Sequence, residues 1–331
     1  MGPRRSGLEY AGGQEVTNPK VLVTCRQMQA ELAKHQARIE SAGYDVVAPP
    51  VPGQQFDEDQ LIELLPGVVG VIAGDDPFTE RVFDNAPDLK VLAKWGIGMD
   101  AIDLPAAAAH GVDVMNTPGM FGNEVADCAM TYVLNLARHV VVIHERNNNG
   151  EWFKPEGMTL SGQTMGILGF GNIGQSLGRR ALAFGMNVLA FDPAPAAASV
   201  AAEMGVQMAD LDTIARTSRF VVSTAPLTPE TFHLVDAEFL SKMRADAYVV
   251  NVGRGPIVDE AALTQALDEG RIAGAGLDVF EVEPLPATST LRHRDNVLLG
   301  SHNGSNTHEG VVRTSARAVE NLLTALAKVS S

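Results

Sequence analysis

Thr164-Met-Gly-Ile-Leu-Gly169-Phe-Gly171-Asn-Ile-Gly174 decides the fold: an apolar, strand-like segment runs into G-x-G-x-x-G and on into a helical pattern. Each glycine has a mechanical part in such a turn. Gly169 permits the tight bend, Gly171 lets backbone approach a pyrophosphate, and Gly174 lets the helix pack on the sheet. The anion then meets the helix N-terminus, where unpaired N–H groups and the helix dipole favour negative charge. Alone, the pattern is weak, because a glycine-rich turn with no ligand explains it about as often. Its surroundings sharpen it. A helix over about Gln175–Phe184 ends at Gly185, a strand follows at Asn187–Phe191, and Asp192 closes that strand 18 residues after Gly174. A carboxylate there accepts hydrogen bonds from the adenosine ribose hydroxyls and repels a 2′-phosphate, so the stretch predicts NAD rather than NADP. Arg179 and Arg180 fall on the helix, not just after Asp192, and offer no 2′-phosphate site.

Outward from this unit, β-branched runs alternate with amphipathic stretches in both directions. Downstream, strands are expected at Thr164–Gly169, Phe220–Ser223, Ala247–Asn251, Ala273–Asp278 and Val297–Leu299. Upstream, they are expected at Lys20–Thr24, Tyr44–Val47, Val68–Ala73, Leu89–Lys94 and Val112–Met115. Helices between the upstream strands fall near Gln27–Ala42, Asp57–Leu65, Thr79–Asn85 and Asp103–His110, with Gly43 and Gly111 where helix C-terminal glycines belong. Such alternation predicts parallel strands joined by right-handed crossovers. One long helix, about Asn123–His144, has apolar residues at helical spacing (Val125, Ala129, Val133, Leu136, Val140). It reads equally as a helix that crosses between domains or packs in a dimer, and as a buried core helix. Gly150–Gln163 reads as a polar loop bearing a Trp, and the Ala/Pro-rich patch Pro193–Ala198 as another loop. A last amphipathic helix, about His308–Lys328, is placed to return and pack on the first unit.

Bulk composition agrees with a globular chain of two domains. There are 331 residues, 45% of them hydrophobic and 20% charged, enough for each domain to bury its own core. No run approaches the roughly 18 consecutive apolar residues of a membrane helix. Met1–Lys20 is polar and Gly-rich with Arg4 and Arg5, which reads as a disordered lead-in and not a signal peptide. Cys25 and Cys128, the two cysteines, sit in no C-x-x-C or His-rich neighbourhood, so the expectation is a reducing cytoplasm with neither a metal site nor a disulfide. The net charge of −15 disfavours nucleic acid as a partner.

Four further stretches carry chemistry. They are Val221-Val-Ser-Thr-Ala-Pro-Leu-Thr-Pro-Glu-Thr231, Ala247-Tyr-Val-Val-Asn-Val-Gly-Arg254-Gly255, Gly276-Leu-Asp-Val-Phe-Glu-Val-Glu283-Pro284 and Leu299-Gly-Ser-His302-Asn-Gly304. With the glycine fingerprint, in this order, they resemble the D-isomer-specific 2-hydroxyacid dehydrogenases, which include phosphoglycerate, glycerate, D-lactate and formate dehydrogenases. The resemblance covers nearly the whole chain after Lys20. It implies α/β architecture: two Rossmann-like, doubly wound parallel-sheet domains with the active site between them. It divides the chain into a lead-in over 1–19, a discontinuous substrate domain over 20–118 and 301–331, and an NAD-binding domain over 119–300.

The family's Arg–Glu–His set maps onto Arg254, Glu283 and His302. Those residue types suit the reduction of a 2-oxo acid. A planar guanidinium pins the carboxylate and polarises the carbonyl. The imidazole gives a proton to the developing alkoxide, and the carboxylate beside it keeps that proton bound near neutrality. His293 and His308 are rivals, and His302 is preferred because it follows the Val297–Leu299 strand as the family histidine follows its own. Glu283 counts against a formate enzyme, in which Gln takes this place. By the same resemblance Asn172 and Ile173 meet the pyrophosphate, Ala225 and Pro226 line the adenine side, and Thr231 helps close that loop. Val252 and Asp278 position the nicotinamide carboxamide, with Gly304 nearby. Lys94-Trp-Gly96-Ile97-Gly98-Met-Asp100 resembles the family's glycine loop, whose N–H groups receive the substrate carboxylate opposite Arg254.

Two departures stand out. Ser301 precedes the histidine where the family usually has Pro, and Gly74-Asp75-Asp76 replaces the basic residue that phosphoglycerate enzymes often carry, a run that would repel a phosphate. Lys94 offers one positive charge in the cleft. The substrate reads as a phosphoglycerate- or hydroxypyruvate/glyoxylate-like acid. The alternatives are a specialised phosphonate or secondary-metabolite acid, or a dinucleotide-sensing corepressor-like protein of the same fold. The chain stops soon after its last helix, which speaks against a corepressor's long tail and against an appended regulatory domain. The family is commonly dimeric through the region of the long helix, so a homodimer is expected.

Overall fold

The computed structural model describes residues 18–329, so the disordered lead-in expected over 1–19 lies, for 1–17, outside the described residues. Two wholly parallel sheets organise the rest. The first is built from β1 (Lys20–Val23), β2 (Asp45–Val47), β3 (Val68–Ala73), β4 (Val91–Lys94) and β5 (Asp113–Met115), in the order β2-β1-β3-β4-β5. Its crossovers are α1 (Arg26–Ser41), α2 (Glu58–Leu64), α3 (Glu80–Asp84) and α4 (Leu104–Ala109). Local chemistry sets their ends. Asp57 and Gln60 form a capping box at α2, the Asp103 carboxylate accepts from the Ala106 N–H at α4, and Gly43 and Gly111 take positive φ just past α1 and α4.

After α5 (Gly122–Arg138) and α6 (Val140–Asn148), the second sheet begins with β6 (Thr164–Leu168), α7 (Asn172–Ala183), β7 (Asn187–Phe191), α8 (Pro195–Met204) and β8 (Gln207–Met208). It continues with α9 (Leu211–Thr217), β9 (Phe220–Ser223), α10 (Ala237–Lys242), β10 (Tyr248–Asn251), α11 (Glu260–Asp268), β11 (Gly274–Leu277) and β12 (Val297–Leu299). Its order, β12-β11-β10-β9-β6-β7-β8, starts at β6 and winds both ways, which puts a topological switch point beside the glycine turn. The central strands β9 to β11 are buried throughout, as a sheet covered on both faces requires.

The last helix, α12 (His308–Val329), returns to the first sheet. Ala318, Val319, Leu322 and Leu326 are buried with residues of β1, β3 and β4, and the Trp95 indole N–H donates to Ser315 Oγ at 3.0 Å. Gly70 on β3 leaves room for this packing, since a Cβ there would stand 2.8 Å from Leu322 Cδ1.

Two expectations need correction. The single helix expected over Asn123–His144 is two helices bent by 63° at His139, whose φ of 55° ends α5. The β-branched run Val140-Val-Val-Ile143 that follows is a weak helix former and does little to hold a straight course. α5 is the core helix of the two alternatives, with Val125, Ala129, Met130 and Val133 buried, whereas α6 buries none of its residues. Second, Pro193–Ala198 is not wholly loop: α8 starts at Pro195. Proline is tolerated in a first turn, and the alanines after it are the best helix formers.

Candidate active site

The C-terminal ends of both sheets face one cleft of about 1070 Å³. In the dinucleotide half, β6 runs into the glycine turn and α7 begins at Asn172, three residues earlier than its apolar pattern suggests. A Cβ on Gly174 would collide with the Gly169 carbonyl oxygen, and one on Gly169 would stand 2.7 Å from Ala225 Cα. At Gly171 a Cβ would meet nothing within 4 Å. The outer glycines are thus packed shut while the middle one opens onto the cleft, beside the helix N-terminus. Asp192 Oδ2 accepts from the Phe170 N–H at 2.7 Å and Oδ1 from the Ala194 N–H at 2.8 Å, so its carboxylate fastens the end of β7 to the same turn.

Asn172, Ile173, Ala225, Pro226, Val252, Asp278 and Gly304 line the cleft with Gly171. Thr231 stands behind it: its Oγ1 donates to the Pro226 carbonyl at 2.7 Å and accepts from the Thr228 N–H at 2.7 Å, which holds the Pro226 loop in shape. This cradle fits NAD, which supplies a hydride to carbon when bound in its reduced form.

His302 lines the cleft, and His293 and His308 do not. It follows β12 with φ 53°, a left-handed conformation held by its N–H on the Asp278 carbonyl at 2.6 Å. Asp278, itself buried, accepts from the Gly304 N–H at 2.8 Å, and from the Asn303 N–H and the Tyr132 hydroxyl at 3.2 Å each. Asp278 therefore ties the histidine loop to the sheet. His302 Nδ1 donates to Glu283 Oε2 at 2.7 Å, and Glu283 Oε1 accepts from the Phe280 N–H at 2.9 Å. With Nδ1 occupied, Nε2 is the nitrogen left for a reacting oxygen. Burial lowers the imidazole pKa, but the hydrogen bond and charge of Glu283, with the charge of Asp75, outweigh it and raise the value overall against the opposing Arg254.

Arg254 reaches the cleft from the end of β10. Its Nε donates to the Asp100 carboxylate, 3.1 Å from Oδ1 and 3.2 Å from Oδ2, and its Nη1 donates to the Gly253 carbonyl at 3.0 Å. The end-on edge of the guanidinium remains for a substrate carboxylate. Gly98 lies against it, and a Cβ there would strike Arg254 Nη2.

The rest of the glycine loop divides its tasks. The Gly96 N–H is spent on Thr117 Oγ1 at 3.0 Å, while those of Ile97 and Gly98 have no protein acceptor among the described residues. Lys94 is only 3% exposed and donates to the Gly74 carbonyl and to Asp75 Oδ1, both at 2.7 Å, so it faces Asp75. Asp76 has its oxygens already bonded: it is buried and accepts from Thr24 Oγ1 at 2.5 Å, the Phe56 N–H at 2.9 Å and the Gly74 N–H at 3.0 Å. Burial outweighs those bonds and raises its pKa. Of the two adjacent acids, Asp75 is the one whose carboxylate stays half-exposed in the cleft. The parts played by Asp100, Tyr132 and the Lys94–Asp75 pair were not read from the sequence; each depends on a partner far away along the chain, which no spacing reports.

A substrate clamp, a carboxylate-backed imidazole and a dinucleotide turn, set between two parallel sheets, define a dehydrogenase of 2-hydroxy acids. Residues 130–304 match the family model described as D-isomer specific 2-hydroxyacid dehydrogenase, NAD binding domain. The chain is 37% identical over 279 residues to a hydroxypyruvate reductase of Thermotoga maritima, covering 82% of this chain and 89% of the relative. It is 40% identical over 276 residues to glyoxylate/hydroxypyruvate reductase B of Serratia proteamaculans, covering 82% and 85%. Among solved structures, the D-lactate dehydrogenase of Aquifex aeolicus complexed with NAD and lactic acid superposes with a TM-score of 0.82 at 25% identity, covering 93% of this chain and 95% of that one. The chain belongs to the D-isomer-specific 2-hydroxyacid dehydrogenases, NAD-binding oxidoreductases of 2-hydroxy acids.

Proposed function

We propose that this enzyme reduces a small, unphosphorylated 2-oxo acid of the hydroxypyruvate and glyoxylate kind to the corresponding 2-hydroxy acid, the D-isomer where C2 is a stereocentre. The observation that carries this reading is the pairing of Arg254 and the Ile97–Gly98 N–H groups on one side with His302 on the other, with the half-exposed Asp75 carboxylate lining the same cleft. Arg254 and the loop hold the substrate carboxylate. His302 Nε2 then gives its proton to the C2 oxygen as hydride reaches C2, and Glu283 stabilises the imidazolium beforehand. NADH loss with hydroxypyruvate, glyoxylate, pyruvate and phosphohydroxypyruvate tests it. Turnover of the first two, reduced about 10²-fold or more in His302→Ala, is expected. Turnover of phosphohydroxypyruvate alone would overturn the substrate reading.

Supporting a homodimer through α6 and the following loop are Val140, 55% exposed, and Trp152, 85% exposed, on a helix and loop that bury little. A monomer at every concentration by light scattering would refute it. Division into 20–118 with 301–331 and 119–300 is supported by the return of α12 to the first sheet, and a cytoplasmic setting by two free thiols.

A further inference from the structure

Beyond the carboxylate and carbonyl of a 2-oxo acid lies its C3 substituent, and the cleft is asymmetric where that group must go. On the function proposed above, Arg254 and the glycine loop would hold C1, His302 would serve the C2 oxygen, and Val252 and Asp278, which line the cleft, would hold the nicotinamide. What remains is the substrate-domain wall beyond the ends of β1, β2 and β3, which includes Cys25, Arg26, Gln54 and Asp75.

Asp75 is the ionised acceptor on this wall. One oxygen, Oδ1, accepts from the buried Lys94 ammonium at 2.7 Å; the other has no donor among the described residues. The side chain is 45% exposed, whereas Lys94, beneath Gly96, borders the cleft with its side chain almost wholly buried. Burial works to raise the Asp75 pKa, but Lys94, then Arg254 and His302, act on it more strongly and bring it down to about 2, so the group is a carboxylate at any working pH. Asp75 lines the same cleft as Arg254 and His302.

We propose that Asp75 is the specificity-determining residue for C3, and that its free oxygen accepts a hydrogen bond from a hydroxyl on that carbon. This inference rests on the function proposed above and, within that substrate class, ranks 2-oxo acids bearing an uncharged donor at C3 ahead of those without one. A methyl group leaves the carboxylate desolvated without a partner, and a phosphate meets it as a like charge. Lys94 acts through Asp75, holding it in place.

The test compares kcat/KM for hydroxypyruvate and pyruvate in the wild-type chain, Asp75→Asn and Asp75→Ala. NADH binding is followed by fluorescence in each to confirm that the fold is retained beside a Lys94 without its counter-ion. The wild type is expected to prefer hydroxypyruvate by about 10- to 100-fold, the range of a hydrogen bond to a charged group. The ratio should fall in Asp75→Asn, which keeps shape and loses charge, and approach unity in Asp75→Ala. Phosphohydroxypyruvate should gain relative to hydroxypyruvate in both variants. A ratio that stays put in variants that bind NADH and turn over substrate overturns the assignment of Asp75 and leaves the proposed reaction standing. A wild-type chain that reduces none of these acids overturns both.

Discussion

A proton donor to a carbonyl oxygen, the part proposed for His302, must hold its proton at the pH where the enzyme works, and burial by itself lowers the imidazole pKa. The Glu283 carboxylate reverses the balance and raises the histidine pKa above its ordinary value. A raised value means that the proton-donating imidazolium persists to higher pH. Reduction should therefore hold steady below that pKa and fall as pH rises through it, while oxidation, which needs the neutral ring, rises through it. Glu283→Gln keeps an acceptor for Nδ1 but removes the charge, leaving burial to dominate. The descending limb of the reductive kcat/KM profile should then move to lower pH, and a limb that does not move would assign the titration to another group. On the other side of the substrate, Gly98→Ala puts a methyl on Arg254 Nη2. KM for the 2-oxo acid should rise about tenfold or more with NADH affinity unchanged, as loss of one charge-assisted bond predicts. Arg254, Glu283 and His302 were legible in the sequence because each sits in a short motif of fixed order. Tyr132 and Asp100 were not, because their partners Asp278 and Arg254 lie 146 and 154 residues away.

Among the elements, the glycine turn and α7 show how a local pattern becomes a site. Gly174 stands in the first turn of α7 with no room for a side chain against Gly169. Gly174→Ala should push the helix N-terminus off the sheet and weaken NADH binding about tenfold or more in a fluorescence titration, since overpacking of about 1–3 kcal/mol has to be relieved there. α12 tests the other half. Leu322 is fully buried against the first sheet, so Leu322→Ala should cost about 2–5 kcal/mol in chemical denaturation. Most strands and helices were readable because alternation and apolar periodicity are local. The break at His139 was not, since apolar spacing continues on both sides and the left-handed turn of one residue leaves no trace in it. The start of α8 was hidden by a proline whose meaning depends on whether it opens or interrupts a helix.

At the scale of the molecule, the two sheets present their strand ends to each other, and chemistry requires that they hold one substrate between them. Asp100 leaves the end of β4 in the first sheet and Arg254 the end of β10 in the second, so their ion pair spans the cleft. Asp100 occupies Nε alone and, with the Gly253 carbonyl on Nη1, fixes the plane in which the end-on edge of the guanidinium faces the glycine loop. Both partners are partly open to water, which limits what the pair adds to stability. Its larger effect is on orientation, because a clamp held in one rotamer gives up less freedom when substrate arrives. Asp100→Ala should therefore raise KM for the 2-oxo acid by about tenfold, with little change in unfolding free energy or in NADH affinity. Asp100→Asn, which still offers Nε an acceptor, should recover much of that loss. Steady-state kinetics beside an NADH titration would decide it. A KM that falls in Asp100→Ala would show instead that Asp100 competes with the substrate carboxylate for Arg254, and that the two halves must part from this contact before the acid can bind.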